Sequence, residues 1–92
     1  MNMNNKYKTK HLPKSIETID DVKKFAYYLA NSEKTLFHPD EDFNSYIDFE
    51  TKQPCYTKEQ AVERNNLMQQ CFSVCDKLNV DIYGVMGKFL QD

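Results

Sequence analysis

The chain has 92 residues, a length that favours one domain with a thin hydrophobic core. Hydrophobic residues make up 40% and charged residues 28%, with a net charge of −2, which argues against a disordered chain and describes an ordinary globular protein. No apolar run approaches the ~20 residues that cross a bilayer, and the polar N-terminus lacks the apolar stretch of a secretion signal. These features predict a cytoplasmic protein that makes no membrane contact, and three cysteines are poor material for a disulfide framework.

The N-terminal segment is basic. Residues 1–14 carry four lysines and no acidic residue, whereas the following part of the chain is acidic. The pair Leu12–Pro13 places any helix start after it. We predict a flexible arm over residues 1–14 and a single helical domain over residues 15–92. A contact of the arm with nucleic acid or with an acidic partner is the alternative interpretation.

A first helix is predicted from Thr18 to about Ser32. Thr18 and Asp21 have the spacing of a capping box, in which each side chain accepts a hydrogen bond from the backbone N–H of the other residue. Apolar side chains then recur at the spacing of one buried helical face, at Val22, Phe25, Ala26 and Leu29. The pattern indicates a helix that packs on a neighbour through this face.

The segment 34–56 combines acidic and aromatic residues, and we call it the excursion. It holds more apolar side chains than an isolated loop, so it should dock on the helices and complete the core. These side chains are Phe37, Phe43, Tyr46, Ile47, Phe49 and Tyr56. Pro39 favours a short helical turn through Phe43. The runs 46–50 and 54–56 allow a small β-hairpin, although the residues between them lack an Asn-Gly or Asp-Gly turn signal.

The longest unbroken helical period covers residues 57–79. Thr57 and Gln60 form a second predicted capping box, and Asn79 tolerates the left-handed conformation that ends a helix. The apolar face of this central helix comprises Ala61, Leu67, Met68, Cys71, Phe72, Val74, Cys75 and Leu78. The opposite face is polar. A helix of ~21 residues is therefore expected to be the scaffold onto which the rest of the chain folds.

A short terminal helix should follow Asp81, a good N-cap, with apolar residues at Ile82, Val85, Met86, Phe89 and Leu90. Gly84 and Gly87 weaken this helix, since each costs up to ~1 kcal/mol relative to Ala. The predicted fold class is mainly α. It consists of two long antiparallel helices, a short C-terminal helix and a docked acidic and aromatic excursion between the first two.

Residues 40–51 resemble the calcium loop of EF-hand proteins. Asp40, Asp42, Asn44 and Asp48 occupy its first, third, fifth and ninth positions. The sixth position, which is Gly in that family, is Ser45 here, and the twelfth, which is a bidentate Glu, is Thr51. The resemblance implies a calcium site on those four side chains. A solvated acidic loop is the alternative explanation of the same residues.

Residues 74–90 resemble the helix-turn-helix of DNA-binding regulators in the spacing of their packing residues. The predicted recognition helix offers Ile82, Tyr83, Met86 and a single Lys88, whereas base edges and phosphates require Arg, Asn, Gln and Lys. The residues after 14 are also acidic. Nucleic acid is therefore the less favoured partner, and the motif is expected to serve packing.

No arrangement of residues indicates catalysis. His38 lies beside Pro39 without a nucleophile in a recognisable frame, and Cys71 and Cys75 fall on the apolar face of the central helix, where cysteine usually packs as a small hydrophobe. A zinc site at these cysteines with Cys55 and His38 is the remaining metal hypothesis. We expect no enzyme activity and no cofactor.

The function expected from the sequence is that of a small non-catalytic binding or accessory protein that acts through protein–protein contacts. No resemblance covers enough of the chain to transfer a function. The partner is an unknown protein, with a second copy of the chain as one candidate, and a basic partner would suit the acidic rim. The predicted contact surface comprises Phe37, His38, Asp40, Glu41, Asp42, Phe43, Tyr46 and Tyr56.

Overall fold

The computed structural model describes residues 11–87, of which 56% are helical and none form a regular strand. Three α-helices are present in this part of the chain: α1 (Ile19–Tyr27), α2 (Lys58–Lys77) and α3 (Ile82–Met86). A π-helix (Tyr28–Ser32) continues α1, and a 3-10 helix (Phe43–Ser45) lies in the excursion. The prediction of a mainly α fold is confirmed.

The first helix begins at the predicted capping box. The Thr18 side chain accepts from the Asp21 backbone N–H, and the Asp21 carboxylate accepts from the Thr18 N–H. The α-helical part is only nine residues long, and the chain reaches Ser32 in the wider π conformation. Lys34 then closes the helix at φ 53°, a left-handed conformation that is uncommon for a lysine. The predicted long first helix is thus a short α-helix with a π-helical extension.

The central helix, α2, agrees with its prediction. Thr57 and Gln60 form the capping box, and the helix runs for 20 residues. Asn79 has φ 57°, and the Val80 N–H donates to the Cys75 carbonyl at 2.9 Å. This hydrogen bond satisfies one of the last helical carbonyls, as in a Schellman closure. The bounds of α2 therefore follow from sequence signals at both of its ends.

The core lies between α2, α1, α3 and the inner side of the excursion. Its members from the α-helices and the π-helix are Val22, Phe25, Ala26, Leu29, Ala30, Ala61, Leu67, Met68, Cys71, Cys75, Ile82 and Met86. Leu78 was expected on the buried face but is 57% exposed, since it is the C-cap residue where the chain leaves the helix. Arg64 is also buried, although a charged side chain is expected on the exposed face of a helix.

Both ends of the described chain pack on these helices. Leu12 is half-buried, and the Ile16 N–H donates to the Gln70 side chain at 2.8 Å. Asp81 caps α3 by accepting the Tyr83 N–H at 3.1 Å. Residues 1–10 of the predicted arm and the expected contributions of Phe89 and Leu90 lie outside the described residues.

The excursion differs from its prediction in local structure. The hairpin is reduced to one antiparallel bridge between Ile47 and Pro54. The helical turn begins at Phe43 rather than at Pro39, because Asp42 accepts the Asn44 N–H and acts as its N-cap. Among the described helices, none is long and apolar enough to span a membrane.

Candidate functional site

Three aromatic residues of the predicted contact surface are buried and cannot form it. Phe37 and Phe43 are each 1% exposed and Tyr56 is 9% exposed, while Tyr46 is half-buried. The physical reason is that a 92-residue chain has a thin core, so its largest apolar side chains are used to complete it. The predicted surface is therefore corrected: these rings form its supporting layer.

Asn65 of α2 fixes the inner side of the excursion. Its side-chain oxygen accepts the Phe43 N–H at 3.0 Å, and its amide nitrogen donates to Asp42 at 2.8 Å. The Phe43 ring meets Tyr46 and Tyr56 edge-on, with centroid distances of 5.2 and 5.6 Å. Such edge contacts are a favoured geometry for aromatic pairs. One polar side chain of α2 thus determines where the 3-10 helix sits.

A second tether joins the end of α1 to α2 and was not predicted. Arg64 binds Glu33 with both ends of its guanidinium, with the Nε–Oε1 distance at 3.0 Å. Tyr56 donates its hydroxyl proton to Glu33 at 2.8 Å, and its ring lies 4.8 Å beneath the Arg64 guanidinium. The hydrogen bond to Glu33 raises the pKa of Arg64, and burial raises that of Tyr56. This cluster therefore keeps one negative and one positive charge paired.

The exposed side of the excursion forms a groove of about 760 Å³, which we call the excursion groove. Three apolar side chains in its lining are largely exposed: Leu36 at 55%, Ile47 at 56% and Phe49 at 84%. Glu41 and Asp48 supply negative charge to the lining, and Lys34 supplies one positive charge. Glu33 also lines the groove, but its charge is paired with Arg64. Tyr46 stiffens the groove, since its hydroxyl accepts the His38 N–H at 2.9 Å. The groove is thus apolar, acidic at its rim and supported by buried rings.

Of the predicted surface residues, His38, Glu41, Tyr46 and Tyr56 line the excursion groove, while Asp40 and Asp42 are exposed beyond its lining. Leu36, Ile47 and Phe49 are the apolar groove residues that the predicted surface omitted. A signal was available for two of them: Ile47 and Phe49 alternate with Asp48 and Glu50 in a short extended run.

The predicted calcium ligands take part in other hydrogen bonds, and the Asn44 side chain itself donates to Asp42 at 3.0 Å. Asp42 accepts from Asn44 and Asn65, and Asp48 accepts the N–H groups of Glu50 and Thr51 at 2.8 and 3.0 Å. Asp40 accepts from the Tyr83 hydroxyl. Within residues 11–87 no group of three or more His, Cys, Asp or Glu side chains is placed to hold a metal ion. The carboxylates of the EF-hand resemblance thus serve as turn caps in this structure, and calcium binding at residues 40–51 stays a prediction.

The backbone N–H groups that bind these two carboxylates also explain their charge state. The Asn44 N–H lowers the pKa of Asp42, and the Thr51 N–H lowers the pKa of Asp48. Hydrogen bonds to the charged form favour it, so both groups stay ionised in mildly acidic solution. The backbone N–H groups of these turns thus keep the two carboxylates negatively charged.

The helix after α2, α3, was predicted to be a recognition helix and has acidic neighbours. Tyr83, at the centre of the predicted recognition helix, donates its hydroxyl proton to Asp40. Asp81 lies on the same helix as its N-cap. Negative charges at these positions repel a phosphate backbone. The described part of 74–90 therefore offers no support for DNA binding.

The described cysteines do not form disulfides, and Cys71 and Cys75 are buried in the core. Burial raises the pKa of both thiols, so the thiolate that a metal or a catalytic step needs is disfavoured. Cys55 is exposed and lines the excursion groove with His38, but no hydrogen bond within the described residues joins their side chains. The groove thus lacks the geometry of a cysteine–histidine pair.

Comparison with known proteins gives no relative: the chain matches no protein-family model, no curated protein and no solved structure.

Proposed function

We propose that this protein is a non-catalytic binding module, and that the excursion groove binds an extended segment of a partner protein that carries lysines and apolar side chains. The proposal rests on one observation: Leu36, Ile47 and Phe49 are exposed together in a single groove. Exposed apolar groups that are gathered in one place, with a polar rim, mark interaction sites on soluble proteins.

The chemistry of the partner follows from charge. Residues 36–51 contain five acidic residues and no lysine or arginine. A basic partner gains attraction in this field, whereas an acidic partner or a nucleic acid is repelled. The apolar centre supplies affinity and the acidic rim supplies selectivity. A cytoplasmic location belongs to this proposal, since the unpaired cysteines suit a reducing compartment.

The rigid support of the groove favours binding without rearrangement. Its wall is tied to α2 through Asn65 and through the Glu33–Arg64 pair, and buried rings fill the space behind it. A surface that is already ordered loses little conformational entropy when a ligand binds. Lys34 and Lys52, both with positive φ, further indicate that the ends of this segment are held in one conformation.

The test uses a synthetic nonapeptide in which Lys alternates with Phe and Val, and a counterpart with Glu in place of each Lys. We expect the purified chain to bind the lysine peptide, with an affinity that falls as salt is added, and not to bind the glutamate peptide. Titration calorimetry provides the dissociation constants.

The informative variant is Phe49→Ser, which removes the most exposed apolar group of the groove. We expect it to weaken binding by about tenfold, or ~1.4 kcal/mol, without changing thermal stability. Val62→Ser is the matched control, because Val62 is 48% exposed on α2 and lies outside the groove lining. Equal affinity of the two variants, or equal binding of both peptides, would contradict the proposal.

A further inference from the structure

The bridge between Ile47 and Pro54 leaves one open backbone edge beside the groove. The Tyr46 carbonyl accepts the Cys55 N–H at 2.8 Å, and the Asp48 N–H donates to the Gln53 carbonyl at 2.9 Å. In an antiparallel pair, the residue between two such hydrogen bonds directs its own N–H and C=O away from the partner strand. Within residues 11–87, the N–H and C=O of Ile47 accordingly have no hydrogen-bond partner.

The other edge of this bridge is closed to a strand. Its outward-facing residue is Pro54, which has no N–H to donate. An unpaired edge with exposed apolar side chains is the usual receptor for an added peptide strand. Ile47 has both properties and lines the excursion groove. The ligand of the groove is thus expected to bind as an extended strand along Ile47.

We infer that residues 6–10 of this chain are a ligand of the excursion groove and bind it as an added strand within the same molecule. This segment reads Lys-Tyr-Lys-Thr-Lys, in which three lysines alternate with two residues that favour strands. In an extended conformation the lysines share one side and Tyr7 and Thr9 share the other. The inference rests on the proposed function, because it names a ligand for that same groove.

The charges of the two segments are complementary. Residues 1–14 contain four lysines and no acid, and residues 36–51 contain five acids and no lysine or arginine. The lysines of the added strand are expected to face Glu41 and Asp48, while Tyr7 contacts the apolar groups of the groove. This is the opposite-charge pairing across strands that stabilises a sheet.

The arm leaves the described structure close enough to reach the groove. Leu12 and Pro13 lie beside Glu63 of α2, and Gln60, one helical turn earlier, lines the excursion groove. That turn is roughly 5 Å along the helix axis. The six residue steps from Leu12 back to Lys6 span about 20 Å when extended, which exceeds the one helical turn between Glu63 and the groove residue Gln60.

The consequence is self-competition. A tethered segment acts at an effective concentration of about 1 mM, so a free peptide with a dissociation constant near 100 µM would bind about tenfold more weakly than to an open groove. A partner protein must therefore displace the arm. The arm sets the affinity threshold that a partner has to exceed.

The test uses the full chain and an arm variant with Lys6→Glu, Lys8→Glu and Lys10→Glu. The control variant carries Lys24→Glu, Lys58→Glu and Lys77→Glu, which makes the same change in net charge at exposed lysines of the helices. The probe is the capped peptide of residues 4–12. We expect the probe to bind the arm variant about tenfold more tightly than it binds the native chain, with the control variant close to native.

Two measurements identify the binding mode. Amide hydrogen exchange by NMR should show the Ile47 N–H protected in the native chain and in the control, and exposed in the arm variant. Probe peptides N-methylated at positions 7 and 9, or at 6, 8 and 10, should differ, since only one set of N–H groups faces Ile47 in a strand.

The outcomes separate the two proposals. Equal binding of the probe to all three chains would overturn the inference while leaving the groove as a binding site. Absence of binding of the probe to every chain, together with an exposed Ile47 N–H in the native chain, would overturn the inference. The alternating Lys, Phe and Val peptide then decides the proposed function independently. A concentration-dependent dimer with Ile47 protected would assign the arm to a second copy and overturn the intramolecular assignment.

Discussion

Phe43 and Phe49 are the same residue type, six positions apart in one acidic segment, yet their side chains are 1% and 84% exposed. The difference lies in their backbone partners. The Phe43 N–H donates to Asn65 of α2, which draws its ring into the core, whereas Phe49 lies in a turn closed by Asp48 and faces outward. Composition predicts that an aromatic segment docks, but single polar contacts decide which of its rings do so. The excursion groove exists because some apolar side chains of the segment, including Phe49, stay exposed while others are buried.

Phe43→Ala and Phe49→Ala should differ strongly in their effect on stability. Loss of the buried ring should reduce the free energy of unfolding by about 4 kcal/mol, because a cavity remains among Tyr46, Tyr56 and the helices. Phe49→Ala should change stability by less than ~0.5 kcal/mol. Urea unfolding measures both values. Similar losses would show that the two rings share one environment.

The second prediction concerns the Glu33–Arg64 pair that supports the inner side. Glu33→Ala leaves Arg64, which is 6% exposed, without its partly buried charged partner, and should cost about 2–3 kcal/mol. Glu63→Ala is the matched control, since Glu63 also approaches Arg64 but its side chain is 62% exposed. That change should cost less than ~0.5 kcal/mol. If both variants lose the same amount, burial of the pair is not what stabilises the excursion.

A smaller effect is expected at Asn65, the residue that distinguishes Phe43 from Phe49. Asn65→Ala removes hydrogen bonds to the Phe43 N–H and to Asp42, and should cost about 1–2 kcal/mol. Asn66→Ala, at the exposed neighbouring position, should be within ~0.5 kcal/mol of the native chain. Thermal unfolding followed by circular dichroism compares them. If the Asn65 variant is as stable as the native chain, the hydrogen bonds of Asn65 do not explain why Phe43 is buried and Phe49 is exposed.

The smallest predicted effect is on the outer side and depends on pH. The pKa values of Asp42 and Asp48 are lowered in the folded chain by backbone N–H groups, so their stabilising contribution is present above the unfolded-state pKa of about 4. It is lost as pH falls through the lower, folded-state values. Unfolding measured between about pH 2.5 and pH 7 should show this loss, and the Asp42→Asn, Asp48→Asn double variant should show less of it. An unchanged pH profile in that variant would contradict the assignment.

The sequence was most informative where the structure is local. Both capping boxes, the end of α2 at Asn79 and the Asp81 cap were predicted, because each depends on residues within a few positions of one another. The mainly α class followed from the same periodicities. Antiparallel arrangement of two long helices remained only partly matched, since α1 is short and continues as a π-helix that no residue pattern announces.

The excursion was less predictable because its structure depends on long-range polar contacts. Glu33 and Arg64 are 31 positions apart, and Phe43 and Asn65 are 22 apart. Neither pair has a spacing that can be recognised from one sequence. The predicted surface therefore included rings that are buried, and two carboxylates of the predicted calcium loop cap turns. The roles of the arm and of any partner remain predictions.

The proline at position 54 has a consequence for assembly. A sheet grows into a filament only if every newly added strand presents a further edge and the starting unit accepts strands on both sides. Here the edge at Pro54 has no N–H to donate, so copies of the chain cannot pair edge to edge on both sides of the bridge. The Ile47 edge can thus accept one added strand without unlimited polymerisation through this bridge.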